Sequence, residues 1–338
     1  MSLPRPSDRS LIGGPQPAAN AAGKVTGTYR YGTDLDQPGL LHARLVLSDV
    51  AHACVVAVDA TDALAIEGVV AVYSHRDVPE RHYNRYRLVE GQPHCIEDER
   101  VLTDVARCVG DRVALVVAET AQAAVAGARA VRVDYAALPS VLDAARALDD
   151  GASEVHVGGN LIDDVDHTVS GTGMGEAVAT VSTSVTTQRL HHGALEPHVA
   201  VADVTTDGRL TVWTTGQSTF GVRTLLSTLF DLDEQQVRVV KAPTGGSFGG
   251  KQEFILEPVV AFLALTLQRP VTLAMDRAQL VVGTMVRPTQ TSQLVTTHDA
   301  DGRLCTLDID TLLDAGGLCV VVSRLRVGHD PQARPSPC

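Results

Sequence analysis

A glycine-rich segment contains the residues with the clearest chemical potential in this sequence. Residues 245–250 read Gly-Gly-Ser-Phe-Gly-Gly, and Lys251 follows them. Four glycines in six positions let a backbone adopt positive φ angles and expose successive N–H groups. A predicted strand enters this segment and a predicted helix leaves it, so amides and a helix N-terminus could converge on one anion. A tight turn that only lets the helix pack closely on the strand is the alternative.

Two nucleotide-binding patterns are each met only in part. Gly245, Gly250 and Lys251 fit the spacing G-x-x-x-x-G-K of a P-loop, but Gln252 stands where a hydroxyl should hold magnesium. The segment from Gly171 to Gly175 is similar to a dinucleotide fingerprint, yet its third glycine is replaced by glutamate and no strand clearly precedes it. Both patterns are therefore disfavoured, and a P-loop protein is kept only as an alternative.

The side chains that could hold a metal or move a proton show no recognised spacing. None of the six cysteines forms a CxxC pair. His191, His192 and His198 match no zinc pattern, so we expect surface or core histidines. Glu196 lies among them as a candidate general base, although a structural or solvated carboxylate is the favoured interpretation. Asp111 is expected to make a turn contact.

Composition excludes several classes of protein. The 338 residues include 28 basic and 40 acidic side chains, a net charge of -12, which argues against sequence-independent binding of nucleic acid. No run of about 18 apolar residues occurs, so no membrane-spanning helix is expected. The N-terminus lacks the apolar segment of a signal peptide, and we therefore expect a cytoplasmic protein.

The hydrophobic pattern predicts an α+β chain with two domains. We predict an arm (1–22), a first domain (23–139), a poorly ordered linker (140–185), a second domain (186–317) and a divergent tail (318–338). The polar stretch 80–100 is expected to be a solvated loop. Strands are predicted at 25–31, 40–47, 54–58, 69–73, 113–118, 131–135, 199–204, 210–214, 237–240, 271–275, 290–297 and 304–313. Helices are predicted at 59–66, 120–130 and 218–230, and an apolar helix ending near 267 contains Pro258 in its first turn. Two strand-helix-strand units are predicted within the first domain.

Several segments, taken together, resemble the molybdopterin-binding subunit of the xanthine oxidase family of molybdenum hydroxylases. They are Gly23-Lys-Val-Thr-Gly27, Val109-Gly-Asp-Arg-Val-Ala114, Leu195-Glu-Pro-His198, Thr214-Thr-Gly-Gln217 and Thr244-Gly-Gly-Ser-Phe-Gly-Gly-Lys251. The similarity runs in order from about residue 13 to residue 316. It implies an α/β hammerhead domain followed by an incomplete molybdopterin-binding α+β domain.

The resemblance implies hydroxylation of an N-heterocycle or an aldehyde, with water as the oxygen source. Molybdenum would be held by a pterin dithiolene, possibly carried on a dinucleotide, without a protein side-chain ligand. Gln217 would hydrogen-bond an oxygen ligand of the metal. The cofactor-binding backbone would be that of Gly246, Phe248, Gly249 and Gly250, while Phe248 and Gln252 would face substrate. Iron–sulfur clusters and FAD are expected on partner subunits.

Two departures from the family pattern limit this expectation. Gln252 replaces the carboxylate that often follows the lysine in purine-handling members, which puts xanthine in doubt as the substrate. Similarity stops near Gly316, before the family's second cofactor loop and its catalytic glutamate. The sequence therefore predicts a truncated chain that is inactive alone, with a separate chain able to carry the missing half. The strand ending at Leu313 would then be an exposed edge, and poor solubility or obligate association is expected. A non-catalytic scaffold remnant is the alternative.

Overall fold

A computed structural model describes residues 18–85, 96–161, 164–168, 175–314, 316 and 324–328. The strands are β1 (Leu41–Leu47), β2 (Ala53–Asp59), β3 (Val69–Ser74), β4 (Val105–Ala106), β5 (Arg112–Ala118), β6 (Arg132–Ala137), β7 (Asp164–Thr168), β8 (Ala179–Thr187), β9 (Val199–Val204), β10 (Leu210–Thr214), β11 (Val237–Lys241), β12 (Val271–Ala274), β13 (Thr289–His298), β14 (Leu304–Asp314) and β15 (Arg324–Gly328). The α-helices are α1 (Ala21–Thr26), α2 (Thr61–Leu64), α3 (Ala121–Ala130), α4 (Thr219–Phe230), α5 (Glu257–Leu267) and α6 (Arg277–Gly283). Short 3₁₀ helices lie at Gly32–Asp34, Arg146–Leu148 and Glu234–Gln236. This mixture of helices and strands confirms the predicted α+β class.

Three of the predicted helices begin at the residues that carried their signals. Thr120 caps α3 by accepting a hydrogen bond from the amide of Ala123, and Ser218 caps α4 through the amide of Gly221. Helix α5 has Pro258 in its first turn, and eight of its residues are buried. Its apolar surface packs against β9, β10 and β12, which explains why the helix is hydrophobic on all sides.

A seven-stranded sheet forms the centre of the molecule, in the order β11-β10-β9-β12-β1-β5-β3. Its strands come from both predicted domains, because β1 pairs in parallel with β12 and places Leu41 opposite Val271. The predicted strands 199–204 and 210–214 are confirmed as β9 and β10, which pair as an antiparallel hairpin. Every residue of β5 is buried, as its continuous apolar sequence indicated.

The predicted strand-helix-strand units do not form parallel pairs. Strands β2 and β3 lie in different sheets, and so do β5 and β6. Helix α2 has only four residues, which is too short for a crossover between parallel neighbours. Instead, β2 lies between β4 and β6 in a small antiparallel sheet, with Val55 opposite Tyr135.

The predicted strand at residues 25–31 is wrong, because no part of that range forms a strand. The chain forms α1 there, and Gly27 ends that helix at φ 73° while its amide bonds back to the carbonyls of Gly23 and Lys24. Val25, whose β-branched side chain favoured a strand, is 87% exposed. No strand among the described residues covers it, so local capping decides the conformation.

The polar stretch 80–100 is also only partly a solvated loop. Tyr83 and Arg85 are buried, and the Arg85 guanidinium lies 2.5 Å from Oε1 of Glu99. The charged side chains are therefore internal partners of one another. Tyr86 and Arg87 lie outside the described residues.

A third sheet has the order β7-β15-β14-β13-β8 and reaches into both the predicted linker and the predicted tail. Strand β8 ends the predicted linker and pairs with β13. Strand β15 lies in the predicted tail, where Leu325 and Val327 alternate with arginines, and it pairs with β14. Strand β14 is therefore not the edge that was predicted. Among the described residues, the edges of this sheet are β7 and β8. The fingerprint-like glycines 171 and 173 lie outside them.

Within the described part of the chain, no helix is both long enough and apolar enough to cross a membrane.

Candidate functional site

The segment Thr244–Lys251, which we call the glycine loop, forms a tight turn that needs left-handed backbone conformations. Gly246 has φ 101°, Phe248 has φ 53° and Gly249 has φ 92°. The amide of Gly250 donates to the carbonyl of Ser247 over 2.9 Å and closes the turn. Glycine removes the steric cost at two of these positions, whereas Phe248 bears a cost of ~1–2 kcal/mol.

Four successive amides of the glycine loop point away from protein acceptors. Among the described residues, the N–H groups of Gly246, Ser247, Phe248 and Gly249 have no hydrogen-bond acceptor. Such a row of free donors fits a negatively charged group or the oxygen atoms of a cofactor. The residues present therefore fit an anionic pterin cofactor. The helix contributes less than predicted, because α5 begins only at Glu257 and not directly after Lys251.

Gln217 lies directly against the glycine loop. Its backbone amide donates to the carbonyl of Lys251 over 2.9 Å, and its Nε2 donates to Oγ of Ser247 over 2.9 Å. The side chain is exposed, and Nε2 retains a second hydrogen for another acceptor. The structure thus brings Gln217 and the loop amides together in one place.

Lys241 supports the segment before Gln217, a role that sequence reasoning missed. Its ammonium donates to the carbonyls of Thr215 (3.0 Å) and Gly216 (2.5 Å). The only signal in the sequence was scarcity, because the chain contains three lysines and two of them flank the glycine loop.

Glu196 is a buried structural carboxylate, in agreement with the favoured interpretation. Its Oε2 accepts from the amide of Gly245 over 2.6 Å and from Nζ of Lys251 over 3.0 Å. Its Oε1 accepts from the amide of Gly32 over 3.0 Å. A Cβ at Gly32 would lie 2.5 Å from a methyl carbon of Thr215, so only glycine allows this approach.

The ammonium of Lys251 cannot reach a phosphate. Its side chain is 1% exposed and is paired with Glu196. Burial lowers the pKa of Lys251, and the neighbouring Glu196 carboxylate opposes that effect. A P-loop lysine must reach the phosphates, so this pairing contradicts the P-loop alternative.

Two histidines pack behind the glycine loop. Nε2 of His198 lies 2.8 Å from the carbonyl of Gly250. Burial, aided by the charge of Lys251, lowers the pKa of His198 to about 4, so a neutral ring donates this bond at neutral pH. The His192 ring fills the space beside Gly250, where a Cβ would lie 2.8 Å from Nδ1. His191 contacts Thr284 instead, over 3.3 Å. The hydrogen bond of His198 and the packing of the His192 ring therefore both support the glycine loop at Gly250.

Phe248 and Gln252, the predicted substrate-facing residues, differ in exposure. The Phe248 ring is 76% exposed and leans over Gly246. Gln252 is partly buried and lies between the buried residues Lys251 and Glu253. Phe220, three residues after Gln217, is 73% exposed and was missed, since it was assigned only to a helix. Phe248 is thus the exposed apolar side chain of the glycine loop.

A buried ionic network lies behind the loop and was also missed. Arg112 donates to Oε2 of Glu99 over 3.1 Å and to the carbonyl of Ile255 over 2.8 Å. Arg85 lies 3.9 Å from the Glu253 carboxylate, and burial raises the pKa of Glu253 to about 7. These contacts connect the residues after the glycine loop to the first predicted domain. The residues are far apart in sequence, so no local pattern indicated the network.

The turn contact expected of Asp111 is present. Its carboxylate accepts a hydrogen bond from the amide of Arg107 over 2.7 Å.

Comparison with known proteins agrees with this geometry. Residues 26–139 match the family described as "Aldehyde oxidase and xanthine dehydrogenase, a/b hammerhead domain". Residues 155–323 match the family described as "Molybdopterin cofactor-binding domain".

Individual relatives cover most of this chain. A probable xanthine dehydrogenase subunit of Bacillus subtilis is 34% identical over 302 residues, which are 87% of this chain and 39% of that protein. The nicotinate dehydrogenase large molybdopterin subunit of Eubacterium barkeri is 28% identical over 91% of this chain and 72% of its own length. The solved structure of aldehyde oxidoreductase from Desulfovibrio gigas matches with a TM-score of 0.79 and 26% identity, over 93% of this chain and 38% of that one.

This chain spans about two fifths of the length of the B. subtilis protein and of the D. gigas enzyme. The hammerhead match precedes the cofactor-binding match along the sequence, and the glycine loop lies within the second match. The solved structure covers both regions. The chain belongs to the xanthine dehydrogenase and aldehyde oxidase family of molybdenum hydroxylases, as a member of its molybdopterin-binding large subunits.

Proposed function

We propose that this chain contributes the first part of the cofactor site of a hydroxylase that acts on an N-heterocycle or an aldehyde. The observation that carries the proposal is the row of four free amides, Gly246 to Gly249, beside the Gln217 carboxamide. Molybdopterin, when bound, supplies the two-electron redox chemistry, and water supplies the oxygen atom. The chain's own residues bind and orient the cofactor.

Each predicted site residue then has a physical role. Gln217 would donate the second hydrogen of Nε2 to an oxygen of the cofactor, and its bond to Ser247 holds the carboxamide in place. Neutral donors held in place stabilise negative oxygen without a proton transfer. Gly246, Phe248, Gly249 and Gly250 shape the backbone around the pterin, and Phe248 and Gln252 face substrate.

The substrate class follows from the residues after Lys251. The names of the relatives refer to xanthine and nicotinate, which are N-heterocycles, and to an aldehyde. Gln252 leaves no carboxylate next to Lys251, and the Glu253 carboxylate is buried among Arg85, Glu99 and Arg112. Glu253 therefore does not replace the missing acid, and we propose a substrate other than a purine.

The electrons would leave through partner subunits that carry iron–sulfur clusters and FAD. The sequence has no CxxC pair of its own. Two relatives bear the names "large molybdopterin subunit" and "molybdenum-binding subunit", which are names of parts of assemblies. A dinucleotide form of the pterin stays a prediction.

The test is cofactor content in the full chain, produced with candidate partner subunits in a host that makes molybdopterin. We expect the natural chain to retain pterin and molybdenum, measured by pterin fluorescence after oxidation and by metal analysis. Gly249→Ala forces a side chain into φ 92° and should lower retention by about tenfold or more. The control is Gly208→Ala, because Gly208 also has a positive φ, 81°, but lies in the β9–β10 turn.

Equal retention in Gly249→Ala and Gly208→Ala would contradict the assigned loop. Absence of pterin from the natural chain with every partner tested would favour the scaffold alternative. Magnesium-dependent nucleotide binding would revive the P-loop alternative.

A further inference from the structure

The two ends of the glycine loop are held by a single side chain. Glu196 Oε2 accepts from the amide of Gly245, the second residue of the loop, and from Nζ of Lys251, its last residue. The amide of Glu196 in turn donates to the carbonyl of Gly245 over 3.2 Å. The loop is therefore closed by one carboxylate and not by a direct contact between its ends.

The same carboxylate also fixes the loop to the N-terminal region. Its Oε1 accepts from Gly32, whose amide also lies 3.2 Å from the carbonyl of Pro243. Glu196 and Lys251 are 6% and 1% exposed in their side chains, so water does not screen their charges. Loss of either partner would leave a buried charge without its counter-charge.

We propose that Glu196 is a positioning residue, which closes the glycine loop around its counter-charge Lys251 so that the free amides Gly246 to Gly249 face one way. This proposal rests on the proposed function in one respect, the identity of the group that the loop binds. The closure itself is a property of the chain without any cofactor. We use loop closure as the name for these contacts of Glu196 with Gly32, Gly245 and Lys251.

The test uses the rarity of lysine. The only lysines are Lys24, Lys241 and Lys251, so a lysine-specific protease has three cleavage positions. Lys24 is exposed on α1, whereas Lys251 is almost fully buried. Cleavage after Lys251 therefore reports opening of the loop, and cleavage after Lys24 is an internal control in the same chain.

In Glu196→Gln, a carboxamide has one oxygen and one NH₂ group, so it cannot accept all three hydrogen bonds or neutralise Lys251. We expect the folded full-length variant to be cleaved after Lys251 at least about tenfold faster, with unchanged cleavage after Lys24. Glu119→Gln is the matched control, since it makes the same substitution but breaks an exposed ion pair, between Glu119 and Arg269, that does not include the glycine loop. It should leave cleavage after Lys251 at the natural rate.

Rescue separates positioning from a general loss of stability. Glu196→Gln with Lys251→Met removes the uncompensated charge, so pterin retention should recover several-fold relative to Glu196→Gln alone. When the natural chain retains pterin, a double variant that retains no more pterin than Glu196→Gln would overturn the pairing. If Glu196→Gln does not fold, Lys251→Met replaces it in the test. We expect the amide hydrogens of Gly245 and Gln217 to exchange with solvent faster in Lys251→Met than in the natural chain, and unchanged hydrogen exchange overturns the proposal.

The two proposals fail differently. A folded Glu196→Gln chain with the natural cleavage rate at Lys251 overturns loop closure, whatever the natural chain binds. Faster cleavage in that variant supports loop closure even if the natural chain carries no pterin, a result that would refute only the proposed function.

Discussion

Glu253 is a residue whose environment sets a measurable pH dependence. Its carboxyl group is buried, and among the described residues neither of its oxygens accepts a hydrogen bond of ordinary geometry. The Arg85 guanidinium lies 3.9 Å away. Burial raises its pKa from the ordinary 4.5 to about 7. The folded chain therefore keeps this proton over a pH range in which the unfolded chain has lost it.

The expected sign follows from proton binding. Between pH 4.5 and about 7 the folded state binds more protons at Glu253, so this residue lowers stability as the pH rises through that range. Glu253→Gln removes this effect. Its free energy of unfolding, relative to the natural chain, should increase between pH 5 and pH 8 by up to ~3 kcal/mol. Urea titrations at each pH measure this difference, and a difference that does not change with pH would contradict it.

At the scale of elements, β8 is an exposed sheet edge at which we expect self-association. It is an edge strand among the described residues, eight of its nine residues are exposed, and its sequence Ala-Thr-Val-Ser-Thr-Ser-Val-Thr-Thr carries no charge. Uncharged edges with exposed valines are templates for pairing with another chain. The sequence predicted association through an exposed edge at β14, but β14 has a neighbouring strand on each side. We therefore expect association at β8.

Val185→Lys places a charge on this edge and should weaken concentration-dependent self-association. Val281→Lys is the matched control, because Val281 on α6 is 47% exposed and Val185 is 48% exposed. Sedimentation velocity over a range of concentrations measures the effect. Equal sedimentation of the two variants would show that β8 is not the contact.

At the scale of the whole molecule, the central sheet joins the two predicted domains. Strand β1 lies between β12 and β5, and the Arg112 guanidinium bonds the carbonyl of Ile255. Neither half can open without exposing the core of the other, since a shared sheet and a shared apolar core unfold together.

Leu45→Ala tests this coupling. Leu45 on β1 is 2% exposed, and its truncation should cost ~2–5 kcal/mol. The single tryptophan, Trp213, lies on β10 in the other predicted domain and reports unfolding there. Its fluorescence midpoint in denaturant should fall with Leu45→Ala, while Leu64→Ala, 52% exposed on α2, should leave it in place. An unchanged midpoint in Leu45→Ala would show independent domains.

Local signals explain what the sequence could predict. The cap at Thr120 and the proline in α5 act over a few residues, so α3 and α5 were found, whereas α1 and α6 were not. The glycine loop and Gln217 were found through their resemblance to a family, and their contact is visible only in the structure. Loop closure by Glu196 joins Gly32, Gly245 and Lys251, which are remote in the chain, and no periodic pattern encodes such a meeting. Strand β15 was missed although its alternation of leucine, valine and arginine carried a period of two.

The bond from Gly32 to Glu196 has a practical side for the handling of this protein. Residues ahead of β1 look dispensable to anyone trimming the chain for expression or crystallisation. A chain that starts at β1 would lack the amide of Gly32, which is one of the three donors to Glu196, and would have a hole beside Thr215.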